Sequence, residues 1–155
     1  LYYVTHAPPS SLVNAEDSPF FDLRATSFEN DATIDIALQT GMFAYPSASP
    51  TQASSRERQY QVAYLQAIFH EQSETSRYRL VVMDRDGSNR RTVFPATDAP
   101  GLEPQIPAWA PGQIDGQSGY FLAVVYQGNL WLVDTGNDQA FQVTGDGLVT
   151  KIDWR

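Results

Sequence analysis

Short apolar runs separated by polar punctuation dominate the chain. Tyr78–Asp84, Phe121–Tyr126 and Leu130–Asp134 are each five to seven residues rich in aromatic and branched side chains, and Gly, Pro, Asn, Asp and Ser close them off. That pattern predicts β-strands, because branched side chains fit a pleated, half-buried surface and the punctuating residues supply turns. Helix signals are few. Glu57–Ser76 contains helix formers, yet Val62-Ala63-Tyr64-Leu65 with Ile68-Phe69 also fits a buried strand. An internal repeat selects the strand.

The repeat is visible residue by residue. Leu80-Val81-Val82-Met83-Asp84 matches Leu130-Trp131-Leu132-Val133-Asp134 at an offset of 50 (80 to 130), and the same offset lays Arg91-Thr92-Val93-Phe94 on Phe141-Gln142-Val143-Thr144. Each copy is an apolar strand ending in Asp, a polar turn (Arg85–Asn89; Thr135–Asp138) and a second strand, which is a hairpin occurring twice. Upstream, Pro46–Pro50 resembles Pro107–Pro111 at offset 61, and Val62–Leu65 resembles Leu122–Val125 at offset 60. Downstream, Ile106–Trp109 resembles Lys151–Trp154 at offset 45. Drifting offsets are what surface loops of unequal length permit.

One unit therefore holds four short strands, which is the make-up of a β-propeller blade. The expected fold class is all-β, built from about three four-stranded antiparallel blades. Residues 1–44 form a partial first blade with strands at Tyr2–Thr5, Phe20–Ala25 and Ala32–Gln39. Residues 45–104 form the second blade, residues 105–147 the third, and residues 148–155 a lone first strand of a next or closing blade. Three blades are too few to close a ring. Two readings stay open: part of a longer propeller, or a homodimer in which two copies make six blades and each Leu148–Trp154 strand completes the partner's first blade.

The run Val82-Met83-Asp84-Arg85-Asp86-Gly87-Ser88-Asn89-Arg90-Arg91, with Pro107-Ala108-Trp109-Ala110-Pro111-Gly112 after it, resembles the WD40-like repeat of TolB-type β-propellers. The resemblance covers Tyr45 to the C-terminus well and the first 44 residues poorly. Ala110-Pro111-Gly112-Gln113 lacks the Ser and Asp of that corner motif, and Ala48 stands where Trp is expected. The resemblance implies a non-enzymatic scaffold binding a protein or small ligand, in a periplasmic or cell-surface setting. It also implies an alternative: the accessory propeller of a larger hydrolase such as a prolyl-oligopeptidase-like serine peptidase, its catalytic domain outside this chain.

Composition narrows the function classes. Of 155 residues, 42% are hydrophobic and 18% charged, which is globular rather than disordered. The net charge of −8 gives a long-range field of the wrong sign for nucleic acid or anionic lipid. Half the basic residues cluster as Arg77, Arg79, Arg85, Arg90 and Arg91, either a local positive patch or the solvated ends of a hairpin. No cysteine is present, so disulfides and thiolate metal sites are excluded. No apolar run is long enough to span a membrane.

The chemistry-bearing residues mostly have plain explanations. Asp84–Asn89 superficially resembles a calcium loop, but Pro95 stands where the twelfth-position Glu would be. Asp-Gly with Ser and Asn is instead what a tight hairpin needs. Asp84 and Asp134 recur as strand-end residues, and nothing in their spacing selects them as the paired carboxylates of a glycosidase. His6 and His70 are isolated, and Ser118 in Gly116-Gln117-Ser118-Gly119 is not a nucleophile elbow. No catalytic, cofactor or metal residue is nominated. Trp109 and Trp154 occupy equivalent places and are expected to pack between blades. The candidate binding residues are Trp131, Arg85, Arg90 and Arg91, with the loops Ser47–Gln59 and His70–Ser76 as variable surface. A third reading, carbohydrate binding through exposed Tyr and Trp, follows from the aromatic content.

Overall fold

A computed structural model describes residues 1–8, 14–51, 59–112 and 119–154. Eleven strands follow in order: β1 (Tyr2–Ala7), β2 (Phe20–Thr26), β3 (Thr33–Ala37), β4 (Ser47–Ala48), β5 (Gln61–Ala67), β6 (Tyr78–Asp84), β7 (Arg91–Phe94), β8 (Ala108–Trp109), β9 (Phe121–Tyr126), β10 (Asn129–Asp134) and β11 (Gln139–Gln142). They form three open antiparallel sheets, β1-β2-β3, β4-β5-β6-β7 and β8-β9-β10-β11, each a simple meander. The fold is all-β, and its three open antiparallel sheets of three or four strands are consistent with partial propeller-like blades. Glu57–Ser76, the segment with helix formers, contributes β5 and a single 3-10 turn at His70–Gln72.

The ladders keep the offsets of the sequence. Leu65 pairs with Leu80 and Ala63 with Val82 in the second sheet; Val125 pairs with Leu130 and Ala123 with Leu132 in the third. Arg91 sits opposite Val82 as Phe141 sits opposite Leu132. Ala48 faces Val62 as Trp109 faces Leu122. Because side chains alternate between faces with a period of two, an offset wrong by one residue would turn every apolar side chain to the other face.

Two turns show why the hairpins close where they do. Tyr126 pairs with Asn129, leaving Gln127-Gly128 as a two-residue loop with both φ positive (50° and 72°). This is the geometry whose twist matches the flanking strands. In the β6–β7 turn, Gly87 (φ 84°) donates its N–H to the Asp84 carbonyl at 3.0 Å, and the Asp86 carboxylate accepts from the Ser88 amide at 3.0 Å. The Asp-Gly sequence is a tight turn.

Alternation gives the second sheet a different neighbour on each face. Val62, Tyr64, Val81 and Met83 of the second sheet pack with Leu23, Ile36 and Ala37 of the first. Ala63, Leu65, Leu80, Val82, Val93 and Phe94, on the opposite face, pack with Trp109, Tyr120, Leu122, Val124 and Val133 of the third. Burying each large aliphatic side chain contributes about 1.5–3 kcal/mol, so the second sheet is held by both seams.

The two outer faces differ. In the first sheet the residues turned away from Leu23 and Val4 include Tyr3, Thr5, Asp22, Arg24 and Thr26, with Asp35 and Thr33 opposite the last two. In the third sheet the residues turned away from Leu122 and Val133 are Ala123, Val125, Leu130, Leu132 and Phe141.

Leu148–Trp154, expected as a lone strand, carries no strand in this structure. The reason is physical. A strand exists through ladder partners, and here Leu148 N–H bonds the Asp146 carboxylate at 3.2 Å and Val149 N–H the Gly128 carbonyl of a turn at 2.7 Å, neither of them a ladder contact. Among the described residues, no helix is long and apolar enough to cross a membrane.

Candidate functional site

Meander topology gathers the β2–β3, β6–β7 and β10–β11 turns at one end of the sheets. The segments entering β5 and β9 arrive at that same end. There, Tyr60 and Asp84–Asp86 of the second sheet face Tyr120, Thr135 and Gly136 of the third across an open cleft of about 360 Å³, with Gln59, Gln61 and Gly119 completing its lining. The lining is polar and carries charges of both signs. Equivalent positions of the two sheets supply it: Tyr60 and Tyr120 at offset 60, Arg85 and Thr135 at offset 50.

Local bonding fixes the cleft walls. Thr135 is buried, and its hydroxyl donates to the Tyr120 carbonyl at 2.9 Å while accepting from the Tyr120 amide at 3.2 Å. On the other wall, the Tyr2 hydroxyl donates to the Arg85 carbonyl at 2.5 Å and lies 3.2 Å from the Tyr60 hydroxyl. The Tyr2 phenol is pushed far above its ordinary range by burial, with the hydrogen bond to Tyr60 adding to it. Asp86 is held below the usual carboxylate range by hydrogen bonds from the Ser88 hydroxyl and amide.

The four nominated binding residues do not converge. Arg85 is exposed and lines the cleft. Arg90 donates from Nε to the Gly87 carbonyl at 2.9 Å and hydrogen-bonds the Tyr64 hydroxyl. Arg91 donates from Nε to Asp138 Oδ1 at 2.9 Å and from its guanidinium to the Thr135 carbonyl, tying β7 to the β10–β11 turn. Trp131 faces the second sheet, its ring 5.3 Å from Phe94 and 6.0 Å from Tyr126. The ring packs on the core seam between the second and third sheets, and its buried indole N–H has no hydrogen-bond partner among the described residues.

The rest of the arginine cluster lies at the opposite end of the second sheet, at the start of β6. Arg77 pairs with Glu103. Arg79 donates to the carbonyls of Thr97 (2.9 Å), Ala99 (2.7 Å) and Pro100 (3.3 Å) in the β7–β8 connection. Five arginines close in sequence therefore serve separate local contacts and the cleft rim.

The carboxylates at the strand ends also bond locally. Asp84 accepts from the Asn89 side-chain amide at 2.6 Å, and buried Asp134 accepts from the Gly136 N–H at 2.7 Å. His6 lies 3.1 Å from the Ser18 carbonyl and against Phe21; His70 lies 3.2 Å from the Gln66 amide. Among the described residues no group of three metal-ligating side chains forms. Trp109 does bridge two sheets, donating its indole N–H to the Ser47 carbonyl at 3.1 Å.

The loop His70–Ser76 is pinned. The Tyr78 hydroxyl donates to the Ser73 carbonyl at 2.5 Å, and the Ser73 and Ser76 hydroxyls accept from the amides of Met42 and Phe69. Of Ser47–Gln59, residues 52–58 lie outside the described residues, as does Ser118. At this opposite end a groove of about 1300 Å³ runs between the third sheet and the 149–154 segment, with Ile106, Trp109, Tyr126 and Trp154 among its lining.

Sequence reasoning passed over Tyr2, Tyr60 and Tyr120. The last two carried a usable signal, since the offset of 60 that aligns β5 with β9 also aligns them. Tyr2 carried none. No family model, curated protein or solved structure matches this chain.

Proposed function

We propose that this chain is a β-propeller-type scaffold without catalytic chemistry of its own, which binds a polar ligand or partner segment at the cleft beside Arg85. The observation that carries this reading is that one ladder register serves two successive sheets, so equivalent segments of both meet to form the cleft. The turn and corner residues that resemble TolB-type repeats support the same reading. Asp84 and Asp134, the most suggestive carboxylates, are engaged in their own turns, which favours a supporting role for them. Arg85 is the cation poised for recognition, because no ion pair involves it among the described residues. The lining offers amides, hydroxyls and carboxylates, so it suits a ligand with its own donors and an acidic group for Arg85.

A thermal-shift screen of polar small molecules and short peptides tests this on the wild type and on Arg85→Ala. The expected result is a stabilising hit whose shift disappears in the variant. Hits indifferent to Arg85→Ala, or hydrolysis of ester or glycoside substrates that Asp84→Asn abolishes, would overturn the proposal.

A further inference from the structure

The face of the second sheet that packs on the third is Ala63, Leu65, Leu80, Val82 and Val93. The equivalent positions of the third sheet are Ala123, Val125, Leu130 and Leu132 through the matching ladders, and Val143 through the sequence offset of 50. Every one is apolar. Where the second sheet carries Arg91, the third carries Phe141. The third sheet thus reproduces, residue by residue, a face that is fully engaged one sheet earlier. Here it is half-buried at Val125, Leu130 and Leu132, and Phe141 and Val143 are 48% and 53% exposed.

The chain also leaves the third sheet as it leaves the other two. A backbone bond to the middle strand or the turn before it pins the start of each departing connection: Thr40 N–H to the Phe21 carbonyl (2.7 Å), Leu102 N–H to the Tyr78 carbonyl (2.8 Å, returned by Tyr78 N–H to the Leu102 carbonyl), and Val149 N–H to the Gly128 carbonyl (2.7 Å). After the first two, the next sheet begins seven and six residues on, at Ser47 and at Ala108. The third crosses so closely over the β9–β10 turn that a Cβ on Gly128 would fall 2.3 Å from the Gly147 carbonyl oxygen. A second copy of the chain is the poorer occupant for ring closure. It would bring the outer face of its first sheet, with the Arg24–Asp35 pair and the Thr26–Thr33 hydroxyl pair, onto leucine and valine.

We infer that the outer face of the third sheet is the docking surface for a fourth antiparallel sheet carried by the same polypeptide, entered through Lys151–Trp154. The inference rests on the propeller-type reading given above, but not on the ligand cleft. The occupant presents apolar residues at the positions equivalent to Leu122, Val124 and Val133, because those are the residues that meet this face pattern between the second and third sheets. The groove beside Trp109 and Val125 lies where its first strand would enter.

The test compares the 155-residue chain with the polypeptide extended through one further unit of its natural coding sequence. Each is made as wild type, Leu132→Lys and Val143→Lys. The expected result is that the short chain binds the dye ANS several-fold more strongly than the extended one. Leu132→Lys should remove that binding from the short chain with little change in its urea midpoint, and lower the midpoint of the extended chain markedly. Val143→Lys, more exposed, is the milder variant should Leu132→Lys prevent the extended chain from folding. Three results would overturn the inference: an extended chain whose midpoint ignores both lysines, a following sequence that adds no strand, or a short chain that sediments as a dimer split by Leu132→Lys. Because Arg85 lies in the other seam, the thermal shift lost in Arg85→Ala survives these substitutions, so the two proposals fail separately.

Discussion

The outer faces of the first and third sheets present the same backbone geometry to opposite sides of the molecule, and their chemistry is opposite. The first carries an Arg24–Asp35 pair at 2.7 Å and a Thr26–Thr33 hydroxyl contact at 2.8 Å. The third carries Val125, Leu130, Leu132 and Phe141 with no charge among them. Water reaches the Arg24–Asp35 pair, whose side chains are 36% and 53% exposed, while Asp22 beside it is buried and accepts from the Gln39 N–H. On the other face water meets apolar surface worth about 25 cal/mol per Å² if covered. The contrast shows that a residue's role follows from its position in the repeat as much as from its exposure: Leu132 belongs to a packing face even where little packs on it.

The largest expected effect tests that contrast directly. Leu80 and Leu130 are equivalent residues, one fully buried in the seam and one half-buried on the outer face. Leu80→Ala should destabilise by about 2–5 kcal/mol, because a cavity is added to the lost transfer energy. Leu130→Ala should cost about 1 kcal/mol, in proportion to the area it now hides. Urea midpoints measure both. Equal costs would mean that the third sheet's outer face is already covered, and the comparison would break.

Much of this architecture was legible in the sequence because the repeat is a physical constraint as well as a resemblance. The offsets of 50, 60 and 61 became ladder registers, since only those registers keep Val82 and Leu132, or Leu65 and Val125, on matching faces. The candidate site was much less legible. The arginines look like one patch between residues 77 and 91, yet strand alternation and hairpin reversal send Arg79 to the β7–β8 connection and Arg91 to Asp138. Trp131 follows a Gly-containing turn, which hid the fact that its parity matches Val133, the inward side. Tyr2 reaches Arg85 across 83 positions of sequence, and no local pattern announces such a contact.

A second, smaller effect separates seams from outer faces by pH. Tyr2, Tyr64 and Tyr78 all sit at seams, and burial raises each phenol above its ordinary pKa of about 10. The fold therefore prefers the neutral phenol. Below about pH 10 both folded and unfolded chains hold the proton, so the stability is fully present; above it the unfolded chain ionises first, and stability falls as pH rises toward the folded pKa. Urea midpoints between pH 7 and 11 should be flat with respect to these groups up to about pH 10 and then decline. Tyr2→Phe should make the decline shallower, whereas Leu130→Ala should leave its slope unchanged. A slope indifferent to Tyr2→Phe would remove Tyr2 as its source and leave Tyr64 and Tyr78.

The smallest expected effect lies on the polar face. Arg24 and Asp35 are a cross-strand pair with side chains 36% and 53% exposed, so water screens their attraction and each long side chain loses rotamer freedom in making it. Such pairs are worth about 0.2–1 kcal/mol. Arg24→Ala should accordingly lower the urea midpoint only slightly at low salt. The difference should fade in about 0.5 M NaCl, where the Debye length is only a few ångströms. The sharper measurement is self-association. If the polar face is solvated as the geometry indicates, Arg24→Ala leaves the sedimentation behaviour unchanged, because one charge lost from a face of threonines and carboxylates creates no apolar patch. A variant that loses several kcal/mol, with a cost that salt does not reduce, would show instead that Arg24 is buried against another surface. The first sheet would then share the property that sets the third apart.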